Sequence, residues 1–153
     1  MKIFAIIDTN VIVSALISRH NDAATVLVLD SIFFDIITPI YNDEILDEYN
    51  SVLRRRKFNF SEERITRMLE TIKAKGIHSE RFNSGETLPD PKDLVFYEVA
   101  LGQEDSFLVT GNIKHFPKKP FIVTPTEMIA IISEMQEIGK RILSEAAASY
   151  GSH

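Results

Sequence analysis

Residues 1–18 read MKIFAIIDTNVIVSALIS, and the fold turns on how Asp8-Thr9-Asn10 is read within them. Lys2 to Ile7 is an unbroken β-branched and aromatic run, the pattern of a strand buried on both faces. Three polar side chains interrupt it. Apolar residues then resume at Val11 and predict a short helix to Ile17. In a parallel sheet covered by helices, ligands bind in the crevice beyond the carboxyl ends of the strands, and Asp8 falls at such an end. A helix N-cap is the simpler use of an Asp there, since its carboxylate satisfies free backbone amides. That use leaves Thr9 and Asn10 without a task.

The same alternation of strand and helix continues outward from this segment. Asn21-Asp22 signals a turn before a helix over 23–31, and 33–38 reads as a second strand closed by Pro39. Asn42 and Asp43 cap a helix that runs to about Arg55. Ser61-Glu62-Glu63 opens another, which Gly76 ends. Residues 79–90, SERFNSGETLPD, form the most polar loop. Asp90-Pro91 then starts a helix to Leu101, with Pro91 at its first position. Residues 106–110 and 121–123 read as strands, and Thr124-Pro125-Thr126-Glu127 has capping-box spacing before a long helix over about 125–148. The pattern predicts one α/β domain over residues 1–150, with a central, mainly parallel sheet covered on both sides. Gly151-Ser152-His153 has the look of an expression-tag remnant.

Composition narrows the chemistry. With 153 residues, 44% hydrophobic and 25% charged, the chain has the balance of a globular domain with a substantial core. It has no cysteine, which excludes disulfides and thiolate metal sites and fits a reducing cytoplasm. Lys2 and the apolar run after it resemble a signal peptide, but Asp8 and Asn10 break the run too early. No apolar stretch reaches the length of a membrane span. The formal net charge of −5 does not invite nucleic acid, so any phosphate chemistry needs local basic patches or metal ions. The glycine signatures of dinucleotide and P-loop sites are absent, as is G-x-S-x-G.

Four segments place polar groups where that crevice would form. In YNDEILDEYNSVLRRR, the residues Ile45, Leu46, Tyr49, Val52 and Leu53 make one apolar helix stripe. Glu48 lies at its edge, about 40° from Val52, where it can reach a cleft, be solvated, or pair with Arg55. Asp43 and Asp47 point well away, and Glu44 suits the positive helix N-terminus. In LPDPKDLVFYEVALGQ, Asp90 as cap and Asp93 in the first turn both satisfy helix-end amides, and both open toward the crevice. In DSFLVTGNIKHF a strand ends at Thr110, and Asn112 after Gly111 suits a tight turn. Asp105 belongs at the opposite end of the sheet. His20, His78 and His115 lack ligand spacing, and surface or capping roles are expected for them.

Taken in order, IIDTNVIVSAL, DEYNSVLRRRKF, DPKDLVFYEVAL and SFLVTGNIKHFP resemble the PIN-domain ribonucleases, in particular the toxins of toxin–antitoxin pairs. The resemblance runs from about Met1 to Pro125. It implies a three-layer α/β/α sandwich and a metal-dependent endoribonuclease. It also implies Mg²⁺ or Mn²⁺ held by carboxylates that map onto Asp8, Glu48 and Asp93. A fourth acid often follows the L-V-T strand in that family. Here the position is Asn112, which can offer a carbonyl or a water-mediated contact but no charge. Thr9, Asn10 and Thr110 would shape the site. Hard divalent cations take oxygen ligands, so the inventory agrees with the chemistry.

The same resemblance implies RNA and a cognate antitoxin protein as partners, and no membrane is expected. The apolar residues of the last helix, continuing through Ile138, Ile142 and Leu143, suit either pairing with a second copy of the chain or folding back along their own domain. Arg54, Arg55, Arg56 and Lys57, together with Lys114 and Lys118, could supply sequence-independent contacts to an RNA backbone. Cations also favour helix C-termini, so the arginine run equally reads as a solvated helix end. The competing reading is a catalytically weak PIN-like module that binds RNA or protein. A receiver or haloacid-type phosphatase would want paired acids after the first strand, and Asp8-Thr9-Asn10 offers one carboxylate.

Overall fold

The computed structural model describes residues 2–151. The apolar run forms β1 (Ile3–Ile7), and α1 (Thr9–Ile17) follows directly. Next come α2 (Ala24–Phe33), β2 (Ile37–Tyr41), α3 (Asp43–Leu53), α4 (Glu62–Lys75) and the two-residue β3 (Ile77–His78). A 3₁₀ turn over Pro91–Asp93 leads into α5 (Leu94–Gly102), then β4 (Ser106–Val109), β5 (Ile122–Val123) and α6 (Pro125–Gly151). The strands form one parallel sheet in the order β3-β2-β1-β4-β5. With α2 packed on β2 and α6, and α5 packed on β1 and β4, the domain is the expected α/β/α sandwich. Its core is continuous, and Ala5, Ile6, Ile12, Ile45, Val99 and Leu108 in it have essentially no exposed surface.

The chain builds the sheet outward from β1 to β3, then returns to the other side of β1 with β4. The strand order therefore reverses between β1 and β4, which opens a crevice at their carboxyl ends. Asp8 and Thr110 are the residues that leave those two strands. The amide of Asp8 still donates to the Val109 carbonyl, at 2.9 Å.

The second strand is shifted from its expected place. Residues 33–38 do not form it: α2 continues through Phe33, and the strand is Ile37–Tyr41 with Pro39 inside. Two local causes account for this. Asp35 has φ 61°, and the amides of Asp35 and Ile36 donate to Ile32 and Ser31, the bond pattern of a Schellman stop with Asp in the left-handed position usually held by Gly. Pro39 is tolerated because odd-numbered residues of β2 face β3, as Tyr41 does in accepting from Ser79. Pairing with β3 begins only at Ile40, so the missing N–H falls where no ladder bond is needed.

Gly76 both ends α4 and admits β3: a Cβ there would lie 2.4 Å from the Ile72 carbonyl and 2.7 Å from that of Pro39. The capping box is present, with Thr124 and Glu127 exchanging bonds of 3.0 and 3.1 Å. No helix among the described residues is long and apolar enough to cross a membrane. Ser152 and His153 of the tag-like end lie outside the described residues.

Candidate active site

Asp8 occupies the N-cap position of α1 with extended backbone, but its side chain makes no capping bond. The carboxylate turns to β4 instead. Thr110 donates its hydroxyl to Oδ2 at 2.7 Å, and Asn10 donates its side-chain amide to the same oxygen at 3.1 Å. Asn10 also accepts from the Gly111 amide at 2.9 Å, and Thr110 accepts from that of Asn112 at 3.0 Å. Asp8 and Asn10 thus clamp the turn after β4. A Cβ on Gly111 would sit 3.2 Å from the Asn10 oxygen, so a larger residue there would have to displace that side chain by a few tenths of an ångström. The Thr9 hydroxyl is buried with no hydrogen-bond partner, the one such side-chain atom among the described residues.

Asp8 is 4% exposed. Burial pushes its carboxyl up from 3.8 to about 6; the Thr110 hydroxyl opposes the rise and the nearby Asp93 charge adds to it. No cation pairs with it among the described residues. A desolvated carboxylate left without a counter-ion is costly in isolation and suits a positive ligand.

Helix α3 is tied to this point by Tyr49, whose buried hydroxyl donates to the Ile7 carbonyl. The residue beside Glu48 is therefore fixed to the residue beside Asp8. Glu48 is half-buried, while Asp43, Glu44 and Asp47 are exposed, as the helical wheel predicts. Glu48 has no ion pair among the described residues, and the alternative bond to Arg55 does not form. Glu44 has a task the wheel does not show: it pairs with Arg81 at 2.7 Å.

Asp90 caps the 3₁₀ turn through the Lys92 amide at 3.0 Å. Asp93 makes no capping bond. Its carboxyl is held above the usual range by burial first, then by the charge of Asp90, with a further push from Glu48. Asp93 faces His115, with Nδ1 3.5 Å from Oδ2. Spacing along the chain gave His115 no role. It reaches the site because a 3₁₀ turn over Ile113–His115 folds back from Asn112.

Asp8, Asp93 and Glu48 thus feel one another's charge in sequence. They do not close into a cage: among the described residues, no three acids or histidines stand near enough together to surround a metal ion. The side chain of Asn112 is exposed beside Thr110. Of the basic residues, Arg54 is committed within the fold, bonded to Asn50 at 2.7 Å and to Glu62 at 2.8 Å. Lys57 lies over the Phe58 ring. Arg55, Arg56, Lys114 and Lys118 are exposed and without ion pairs among the described residues.

A parallel sheet with a buried carboxylate at its switch point defines an α/β protein with a polar site between β1 and β4. Residues 5–114 match the PIN domain, well over half the chain, and the chain belongs to the PIN-domain family. PIN domains are generally nucleases acting on RNA, and they usually use divalent metal ions. No curated protein matches the chain.

Proposed function

We propose that the chain is a metal-dependent endoribonuclease, the toxin of a toxin–antitoxin pair, working in the cytoplasm. The observation that carries the nuclease reading is Asp8: a buried carboxylate at the switch point, bonded on one oxygen by Thr110 and Asn10 and paired with no basic side chain among the described residues. The donor set fits Mg²⁺ or Mn²⁺. It is all oxygen, the Thr9 hydroxyl beside it is orphaned, and Asp8, Asp93 and Glu48 offer charge to a shared cation. Mg²⁺ keeps several of its waters beside one or two carboxylates, so Asp8 with one further acid would be enough to hold it. When bound, such an ion polarises a phosphodiester and activates a water.

The chain's own residues would orient this chemistry. Thr110 and Asn10 hold the Asp8 carboxylate in one rotamer. Tyr49 fixes the height of Glu48 along the crevice, and His115 lies close enough to Asp93 to bias its orientation and charge. Asn112 stands where a further acid would add charge, and can contribute a carbonyl. The reading is tested by Mn²⁺-supported cleavage of single-stranded RNA. Wild type is expected to cleave and Asp8→Asn to lose activity by at least a hundredfold, about 2.7 kcal/mol. Equal activity in the two proteins would sink it.

The toxin assignment rests on the resemblance of the four segments, and its test is growth arrest on expression, relieved by a neighbouring gene product. The proposal also includes a homodimer through α6, because Ile138, Ile142 and Leu143 are 42%, 57% and 72% exposed there. Light scattering that finds only monomer at high concentration would refute this part. The absence of a closed cage, together with Asn112, favours a second reading, a catalytically weak module that binds RNA through the same crevice. Binding without metal-supported cleavage is its signature.

A further inference from the structure

The segment after β4 builds a second concavity beside the candidate active site. A small hollow lined by Gly111, Asn112, Ile113, Lys114 and His115 starts at the Thr110 turn. Ile113 and Lys114 also line a larger cavity of about 580 Å³, whose remaining lining runs from Phe116 to Pro120 and includes Ile122. That volume lies within the roughly 300–1,000 Å³ of sites that enclose small ligands.

Its chemistry is two-sided. Ile113, Pro117 and Pro120 give apolar walls, and buried Phe116 and Ile122 give the floor. Lys114, Lys118 and Lys119 ring it, with no acid in the lining and no ion pair on any of the three among the described residues. In a chain of net charge −5, three free cations around one apolar hollow mark a local reversal of sign. Ile113 leaves 39% of its surface uncovered at the rim.

We infer that this cavity is a subsite for one unpaired nucleotide of an RNA strand, next to the position of cleavage. The inference rests on the nuclease reading for its orientation, since the small hollow begins at Gly111, the residue after Thr110, which holds the Asp8 carboxylate. An apolar slot takes the face of a base, and ammonium groups at its rim take the flanking phosphates as point charges. A base can enter such a slot only when it is free of a partner strand, so duplex RNA is excluded from it. Apolar contact with a base face is tolerant of sequence, and the lysine contacts carry no sequence information. The subsite therefore selects single strands and loops rather than a particular base.

The test uses the full chain carrying Asp8→Asn in Mg²⁺, so that RNA stays intact, with a labelled single-stranded octanucleotide and the same sequence as a duplex. Binding is followed by fluorescence anisotropy over a salt series. Lys118→Gln with Lys119→Gln is expected to weaken single-strand binding about tenfold and lower the salt slope by about 1.4, at roughly 0.7 per lost contact. Ile113→Ser is expected to weaken it without changing the slope. Unchanged affinity and slope in the lysine variant would overturn the subsite, as would equal, lysine-dependent binding of the duplex. Cleavage by the wild-type chain is measured separately. A chain that cleaves RNA but ignores the lysine changes refutes the subsite alone, whereas one that binds through the lysines and never cleaves refutes the nuclease reading alone.

Discussion

Replacing Asp8 by Asn should make the metal-free protein more stable at neutral pH. The folded carboxyl has been pushed from 3.8 to about 6, chiefly by burial. At about 1.4 kcal/mol per tenfold in proton affinity, that rise corresponds to about 3 kcal/mol. The sign follows from linkage. With the folded value above the unfolded one, the native state holds its proton more tightly, so the stability associated with Asp8 is fully present below about pH 4. It falls as pH rises through about 6, and above that the buried charge opposes folding. Asn removes the charge and can still accept the Thr110 hydroxyl, but its new amide protons need partners, at a cost of about 1 kcal/mol. The net gain at pH 7 is then about 2 kcal/mol, or ~4–8 °C in Tm for a domain of this size. Thermal melts in EDTA from pH 4 to 7.5 read both quantities: the wild type loses stability across that range, and the variant stays flatter. Added Mn²⁺ should raise the melting temperature of the wild type and leave the variant nearly unmoved. A variant less stable than wild type at pH 7, with the same pH slope, would refute the reasoning. It would mean that the carboxylate is already compensated inside the fold.

Three further outcomes are expected. Tyr49→Phe deletes a buried hydrogen bond to β1, so it should cost about 1–2 kcal/mol in urea denaturation and lower kcat on RNA more than it changes KM; an unchanged kcat would show that the tether does not position Glu48. Arg81→Ala strips the cation from Glu98, which is 2% exposed and bonded to Arg81 and to the Ser84 amide, and should cost about 2 kcal/mol after allowance for the partly exposed arginine. Adding Glu98→Gln should recover part of that loss, and a double variant weaker than Arg81→Ala alone would contradict it. Asn112→Asp adds a full charge to the exposed turn beside Thr110; within ~5 Å of a divalent ion this is worth about 1.5–2 kcal/mol, roughly tenfold tighter Mn²⁺ binding by calorimetry, and an unchanged Kd would place residue 112 outside the metal's reach.

The sheet and helices were legible in the sequence wherever burial imposes a period. β1, the stripe of α3 and the capping box before α6 each express a local rule, and each is found where the rule puts it. The misplaced β2 shows how such a rule fails. Pro39 looks like the end of a strand because proline cannot donate to a ladder, but a ladder asks for a donor only at alternate residues and only where a neighbour is present. β3 begins one residue too late to ask. Asp35 hid the boundary in the same way, since it stops a helix in a conformation that sequence rules assign to Gly.

The candidate site was legible in a different sense. A polar triplet ending a doubly buried strand identified Asp8 as a position of interest, but no local pattern could decide between a helix cap and a ligand. The cap is excluded by Thr110, 102 residues away, whose hydroxyl holds the carboxylate while the helix amides go without it. His115 was expected only on the surface or at a cap for the same reason, as its contact with Asp93 depends on a turn that has no hydrophobic period. Glu98 and Arg81 are the extreme case. An acid in an otherwise apolar helix looks like an interruption, whereas in the fold it anchors the polar 79–90 loop to α5, the helix that follows Asp93, and through Glu44 to α3, the helix that carries Glu48. Hydrophobic periodicity therefore sets where the crevice opens, and single polar bonds between distant segments set which carboxylates face it and how rigidly.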